Sequence, residues 1–259
     1  MRSGVTREDA IFRHFQIQKF DPMRIAPAVT MMINVNASPL LVLRQKLNNR
    51  ADFASHITVT HMVIKAVAQT LVQYPVLFSF FNGAKIVENS ELVLNIPVAI
   101  DNHVEYIVIH HPDSKPLDEI AIECAHAQEE IRQKEGELWK YLQRVEAIPS
   151  WIRKLYMKLP GRSIRFLRRY YGNFAISNFG SFAVSNGSLV LAQPMIASLC
   201  MCQISPAIIL GSDDNYQRIS HLPLSVVFDH RAVDGAYVGN FLSDVKHLLE
   251  VPDQLLATE

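Results

Sequence analysis

Cysteine is scarce in this chain. Its 259 residues hold three, Cys124, Cys200 and Cys202. An odd set this sparse builds no disulfide framework, and no CxxC motif occurs. Charge of one sign is equally lacking. Lys and Arg number 25, Asp and Glu 25, so the formal net charge is zero and whole-molecule charge points to no nucleic-acid partner. Long apolar runs are missing too. The longest, Leu189 to Cys202, is broken by Gln193 and Pro194 and is too short to span a bilayer. The opening Met1–Asp9 lacks the apolar stretch of a signal peptide. There is no internal repeat and no low-complexity linker. These absences lead to the expectation of a cytoplasmic protein.

What is present is core. The hydrophobic fraction is 49% and the charged fraction 19%, a globular composition, in a length that suits one large domain or two small ones. Residues 28–36 read as a strand. Ser38-Pro39 opens a helix to about residue 49. Val59, Val63, Ala66, Val67, Thr70 and Leu71 form one apolar stripe on a second helix, 58–74, which Pro75 ends. Short strands follow at 78–81, 85–87, 92–101 and 106–110, then a helix at 115–134. Further strands are expected at 173–178, 188–193, 195–204, 206–210 and 217–229, and helix 236–250 closes the fold. Several neighbouring strands look hairpin-connected, which favours α/β architecture with a mixed sheet and flanking helices over a doubly wound parallel sheet.

Residues 138–170 stand apart. Lys140, Arg144, Arg153, Lys154, Lys158, Arg162, Arg165, Arg168 and Arg169 face a single acid, Glu146, with Trp139, Tyr141, Trp151, Tyr156, Phe166 and Tyr170 interleaved. Pro149 and Pro160-Gly161 cut this stretch into two or three short amphipathic helices. The rest of the chain must carry the compensating negative charge.

One stretch carries chemistry. The apolar run Leu222–Phe228 delivers Asp229-His230-Arg231-Ala232-Val233-Asp234-Gly235 into a tight turn before the last helix. A histidine fixed at a strand end suits general-base work, because its ordinary pKa lies near neutrality. The bland alternative is a turn in which Asp234 caps the helix at Ala236. A second polar strand end is Phe174-Ala175-Ile176-Ser177-Asn178-Phe179-Gly180, where Ser and Asn also favour turns on their own account. Cys200 and Cys202 read as buried small hydrophobes on opposite faces of a strand rather than as a metal site, and His110-His111 as exposed loop histidines. No metal is expected.

DHRAVDG at 229–235 and FAISNFG at 174–180, with APAVT at 26–30, the Tyr-Pro after the 58–74 helix and IPVAID at 96–101, resemble the catalytic domain of the dihydrolipoamide acyltransferases of 2-oxoacid dehydrogenase complexes. The resemblance covers roughly 20–137 and 172–257. It implies a chloramphenicol acetyltransferase-like fold, with 138–170 as a basic helical insertion in a single domain, 1–259. It implies acyl transfer between coenzyme A and a thiol such as dihydrolipoamide. By that likeness His230 is the general base and Ser177 the oxyanion donor. Asp234 braces the active-site loop through an ion pair with Arg24, Asn178 beside Ser177 orients the loop or touches substrate, and Gly235 permits the tight turn.

The resemblance further implies a homotrimer in which His230 of one chain meets Ser177 of the next. The tail Val251–Leu256 is similar to the segment that joins trimers into cages. The sequence holds no lipoyl domain and no subunit-binding domain, so a lipoyl group is expected from another chain. For 138–170 the first reading is a helical cover whose aromatics face the core. The second is docking of an acidic lipoyl or acyl carrier domain. Contact of Arg153, Lys154, Lys158, Arg162, Arg165, Arg168 and Arg169 with coenzyme A phosphates, or with an anionic membrane surface, comes after, and nucleic acid last. The competing functional readings are a non-catalytic trimer or cage scaffold and an O-acetyltransferase of the chloramphenicol acetyltransferase type.

Overall fold

A computed structural model describes residues 27–50, 55–100, 103–133, 137–146, 148–149, 151–152, 155, 170–210 and 215–256. Its frame is a mixed sheet of seven strands: β1 (Ala28–Asn36), β4 (Val93–Ile100), β5 (His103–His110), β6 (Phe174–Asn178), β7 (Ala197–Met201), β8 (Ser205–Leu210) and β9 (Tyr216–Asp229). The order is β1-β9-β7-β6-β4-β5, and β8 pairs with the first half of β9. The β4–β6 and β6–β7 pairs are parallel and the others antiparallel. A separate hairpin joins β2 (Phe80–Phe81) to β3 (Ile86–Val87).

The helices are α1 (Ser38–Asn48), α2 (Val59–Leu71), α3 (Leu117–Arg132), α4 (Glu137–Glu146) and α5 (Gly235–Glu250). Helix α5 lies on β1, α2 lies between α5 and α3, and α3 packs on β5. Alternation along the strands explains the layering. Leu222, Leu224, Val226 and Phe228 of β9 turn to the helices and enter the main core, as do Phe174, Ile176, Leu199, Ile107 and Ile109. Val227 and Tyr106, of opposite parity, join Phe80, Tyr171, Leu191, Ala192 and Met195 in a smaller cluster on the other face.

Helix α2 is buried nearly all round, so it carries the densest packing. Its one buried cation, Lys65, is accommodated because Nζ donates to the carbonyls of Asp113 (2.9 Å) and Lys115 (2.7 Å). Burial lowers the Lys65 pKa, and the neighbouring Asp113 opposes that shift. The far end of α2 is tied to α5 through Tyr74, whose hydroxyl bonds Asp244 and whose ring meets Tyr237 and Phe241 edge-on. Gly172 is needed where it stands. It has φ +69°, and a Cβ there would lie 2.6 Å from the Val93 carbonyl oxygen as the chain re-enters the sheet at β6.

The structure departs from the sequence expectation in three places. Residues 188–193 form no strand. They are an irregular strap over the face away from the helices, held by Ser225 Oγ donating to the Gly187 carbonyl (2.6 Å) and by a Thr30–Ser188 hydroxyl contact (2.9 Å). Cys200 and Cys202 share one face, as a spacing of two requires. Both are buried, and burial followed by the neighbouring Cys202 pushes the Cys200 thiol up to about 12. In the basic segment Trp139 is buried, but Trp151 is not. Leu255 of the tail packs into the chain's own core, while Leu256 stays at the surface.

Helix α2 begins with a reciprocal cap. The His61 amide donates to Thr58 Oγ1 and the Thr58 amide donates to His61 Nδ1, both at 3.3 Å. That nitrogen must be unprotonated to accept. Burial, and then the nearby His56, lower the His61 pKa from 6.5 to about 4. Folded His61 is therefore neutral while the unfolded chain takes up a proton near 6.5. The stabilisation is complete above that pH and is lost as pH falls from 6.5 through about 4. Urea denaturation between pH 7.5 and 4.5 should show His61→Gln losing about 2 kcal/mol less than the parent chain. Parallel pH profiles for the two proteins would refute this.

Candidate active site

Strand β9 ends in a carboxylate with no solvent exposure. Asp229 accepts from Arg231 Nε (2.9 Å to Oδ1) and Nη2 (2.6 Å to Oδ2), from the Arg231 amide (3.0 Å) and from Gln193 Nε2 (3.1 Å). Burial alone would raise this carboxyl. The Arg231 and Gln193 hydrogen bonds outweigh it and hold the Asp229 pKa below its ordinary value. The Arg231 guanidinium also lies 4.9 Å from the Phe81 ring centroid. The backbone is equally constrained. The Asp229 amide donates to Ile196, the His230 amide to Pro27, and the Ala232 and Val233 amides to the Asp229 carbonyl.

His230 therefore stands on a turn clamped from both sides, with its side chain 47% exposed. Its Nδ1 is 3.8 Å from Asp234 Oδ1, too long for a hydrogen bond. Asp234 occupies the N-cap position of α5 but makes no side-chain cap bond, contrary to the capping alternative. Gly235 is not demanded by the turn, because it has no positive φ and a Cβ would meet only Met31 Sδ at 3.8 Å. Arg24, the expected partner of Asp234, lies outside the described residues.

Ser177 is buried at the end of β6, on the face away from the helices. Register aligns it with Cys200 of β7 and, through that, with Ser225 of β9. Asn178, of opposite parity, donates to Thr60 Oγ1 in the first turn of α2 (3.0 Å) and accepts from the Ser181 amide (3.3 Å). It thus ties the serine's strand end to the helix layer.

The two strand ends do not meet within one chain. Strand β9 runs antiparallel to β7, and β6 runs parallel to β7, so Ser177 and His230 sit at opposite ends of the sheet. Two strand spacings and the five residues from Ser225 to His230 put them roughly 19 Å apart.

Sequence reading missed Asp229, Arg231 and Gln193 as a unit. The motif contains the first two, but a pair two residues apart at a strand end has no helical spacing to reveal it, and Gln193 arrives from a distant strap. Thr60 was missed for the same reason. Arg153, Lys154, Lys158, Arg162, Arg165, Arg168 and Arg169 lie outside the described residues. Among the described residues no group of His, Cys, Asp and Glu is placed to hold a metal ion.

Comparison with known proteins gives a consistent outcome. The family described as 2-oxoacid dehydrogenases acyltransferase (catalytic domain) matches residues 20–138 and 153–257. The dihydrolipoyllysine-residue acetyltransferase component of the acetoin cleaving system of Bacillus subtilis (strain 168) is 27% identical over 88% of this chain and 50% of its own length. The chain spans half or less of the length of the first such relatives. Azotobacter vinelandii dihydrolipoamide acetyltransferase, whose catalytic mechanism was investigated at a serine, a histidine and an asparagine, superposes with a TM-score of 0.76 at 20% identity. That match covers 96% of this chain and 91% of the other. A chloramphenicol acetyltransferase gives 0.51 at 13% identity, over 94% of this chain and 95% of the other, so the fold is of that type. This chain belongs to the 2-oxoacid dehydrogenase acyltransferase catalytic-domain family.

Proposed function

We propose that the protein transfers an acyl group between coenzyme A and a thiol of the dihydrolipoyl type, at a site shared by two copies of the chain. The observation that carries this reading is the clamped, half-exposed His230 at one end of the sheet, with Ser177 at the other. In a family of acyltransferases, the two become one site when His230 of one copy faces Ser177 of the next. A closed ring of such contacts is a trimer in the simplest case that the family resemblance supplies. A larger cage needs a further contact, and Leu255 of the tail is already engaged with its own chain.

The chemistry then runs without an acyl-enzyme. His230 takes the proton of the attacking thiol through Nε2, the nitrogen not facing Asp234. The thiolate adds to the thioester carbonyl, and Ser177 Oγ donates to the oxyanion. The tetrahedral intermediate collapses, the C–S bond to the departing thiol breaks, and the imidazolium returns its proton to that sulfur. Asp234 Oδ1 lies 3.8 Å from the other ring nitrogen, Nδ1. The asparagine of the Azotobacter set follows its histidine by four positions, the spacing of Asp234 from His230. Asn178 and the Asp229–Arg231 pair hold the two strand ends. A lipoyl carrier is the natural acyl donor.

His230→Ala should lower kcat for exchange between acyl-coenzyme A and dihydrolipoamide about a thousandfold, and Ser177→Ala about a hundredfold. Neither should change the oligomer measured by light scattering, and an active His230→Ala protein would sink the mechanism. The shared site has its own test. Co-refolding inactive His230→Ala chains with inactive Ser177→Ala chains should restore activity, because some contacts then pair an intact histidine with an intact serine. No recovery in verified mixed oligomers would rule out a two-chain site.

Asp229→Asn leaves the half-buried Arg231 without its anion. It should cost about 2 kcal/mol in urea denaturation, and kcat should fall more than KM for coenzyme A rises. An unchanged kcat in the folded variant would remove Asp229 from the positioning machinery.

A further inference from the structure

The stretch between α4 and β6 holds an apolar face that is exposed among the described residues. Ile148, Trp151, Ile152 and Leu155 are 40%, 68%, 38% and 58% exposed. Their spacing, i, i+3, i+4 and i+7, puts all four on one side of a helix. Trp151, Ile152 and Leu155 are helical, and the Ile152 amide donates to the Pro149 carbonyl. The other tryptophan of this stretch behaves differently: Trp139 on α4 is 7% exposed and is packed into the protein. The cover function thus belongs to α4, and among the described residues the second stripe faces outward. Ile148, Trp151 and Ile152 also fall in residues 139–152, the part that the acyltransferase family does not match.

We propose that this stripe docks on an anionic lipid bilayer, lying in the plane of the headgroups. Charge argues for that occupant. Residues 138–170 carry nine basic residues and one acid in a chain whose net charge is zero. In sequence, Arg153 and Lys154 interrupt the stripe, so on a helix they fall off its apolar side. Lys140 and Arg144 on α4 are exposed. An apolar stripe with an outward tryptophan, in a sequence rich in Lys and Arg, is the composition of an interfacial helix. Its apolar side sinks to the acyl boundary while the cations meet lipid phosphates. An acidic carrier domain would satisfy the charge but leaves the four large apolar side chains without a role. No helix among the described residues is long and apolar enough to cross the membrane, so the contact is peripheral.

The inference does not rest on acyl transfer, and its test reads lipid binding alone. The full chain is floated with vesicles of phosphatidylcholine, and with vesicles of phosphatidylcholine mixed with phosphatidylglycerol. The protein should float with the mixed vesicles, less so in high salt, and not with phosphatidylcholine alone. Brominated lipid should quench the fluorescence of Trp151 while Trp139 stays unquenched in Trp151→Phe. Trp151→Glu should weaken flotation at least about tenfold with an unchanged melting temperature. Should that variant melt early, Leu155→Gln provides the same comparison.

Absence of flotation with the mixed vesicles overturns the proposal, as does equal flotation of the parent and the stripe variants. A stripe variant with an altered oligomeric state also overturns it, because the face would then be a contact between copies. Capture of an acidic lipoyl domain through the stripe, with no vesicle binding, assigns the face to a carrier instead.

Discussion

The ion pair between Asp229 and Arg231 is the constraint on which the position of His230 depends. A buried carboxylate without partners would be protonated or would unfold its surroundings. This one accepts hydrogen bonds from four donors, which hold its pKa below the ordinary value. In doing so it fixes the last residue of β9, the backbone on both sides of His230, the strap through Gln193 and the β2 hairpin through the Phe81 ring. A half-exposed imidazole has few contacts of its own. Its position is inherited from the buried anion one residue earlier.

The other strand end is held by different means. Asn178 reaches across to Thr60, so the serine's position depends on the helix layer, whereas the histidine's depends on the outer face. The two halves of the proposed site thus belong to two packing systems of one sheet, separated by β7. A fold arranged this way cannot bring Ser177 and His230 of one chain together by local adjustment. Repetition of the chain around an axis is the economical remedy.

Much of the fold was legible in the sequence because alternation and helical stripes are tied directly to burial. β1, β4, β9 and the helices α1, α2, α3 and α5 lie within a few residues of their expected bounds. The strap at 188–193 was not, although its Leu189, Leu191 and Ala192 do pack inward. Apolar residues announce burial, but only partner strands make a ladder, and none is available there. Trp151 misled in the opposite direction, since an aromatic at helical spacing is normally core. At the site, the motif residues themselves were legible as types in a pattern. The braces were not, because Asp229 with Gln193 and Asn178 with Thr60 are long-range pairs that only topology brings together.

The parity of β9 has a consequence for how this chain can change in length. Ser225, Val227 and Asp229 face one side of the sheet, and Leu224, Val226 and Phe228 the other. Deleting a single residue between 222 and 229 would exchange the two sets, turning the carboxylate toward the hydrocarbon core and a phenylalanine toward the strap. The segment from α4 to Gly172, by contrast, contributes no strand among the described residues, and the family match is interrupted within it, at 139–152. Loss of one residue from the strand is the graver edit, so variation in this protein is expected to be counted in register rather than in number of residues.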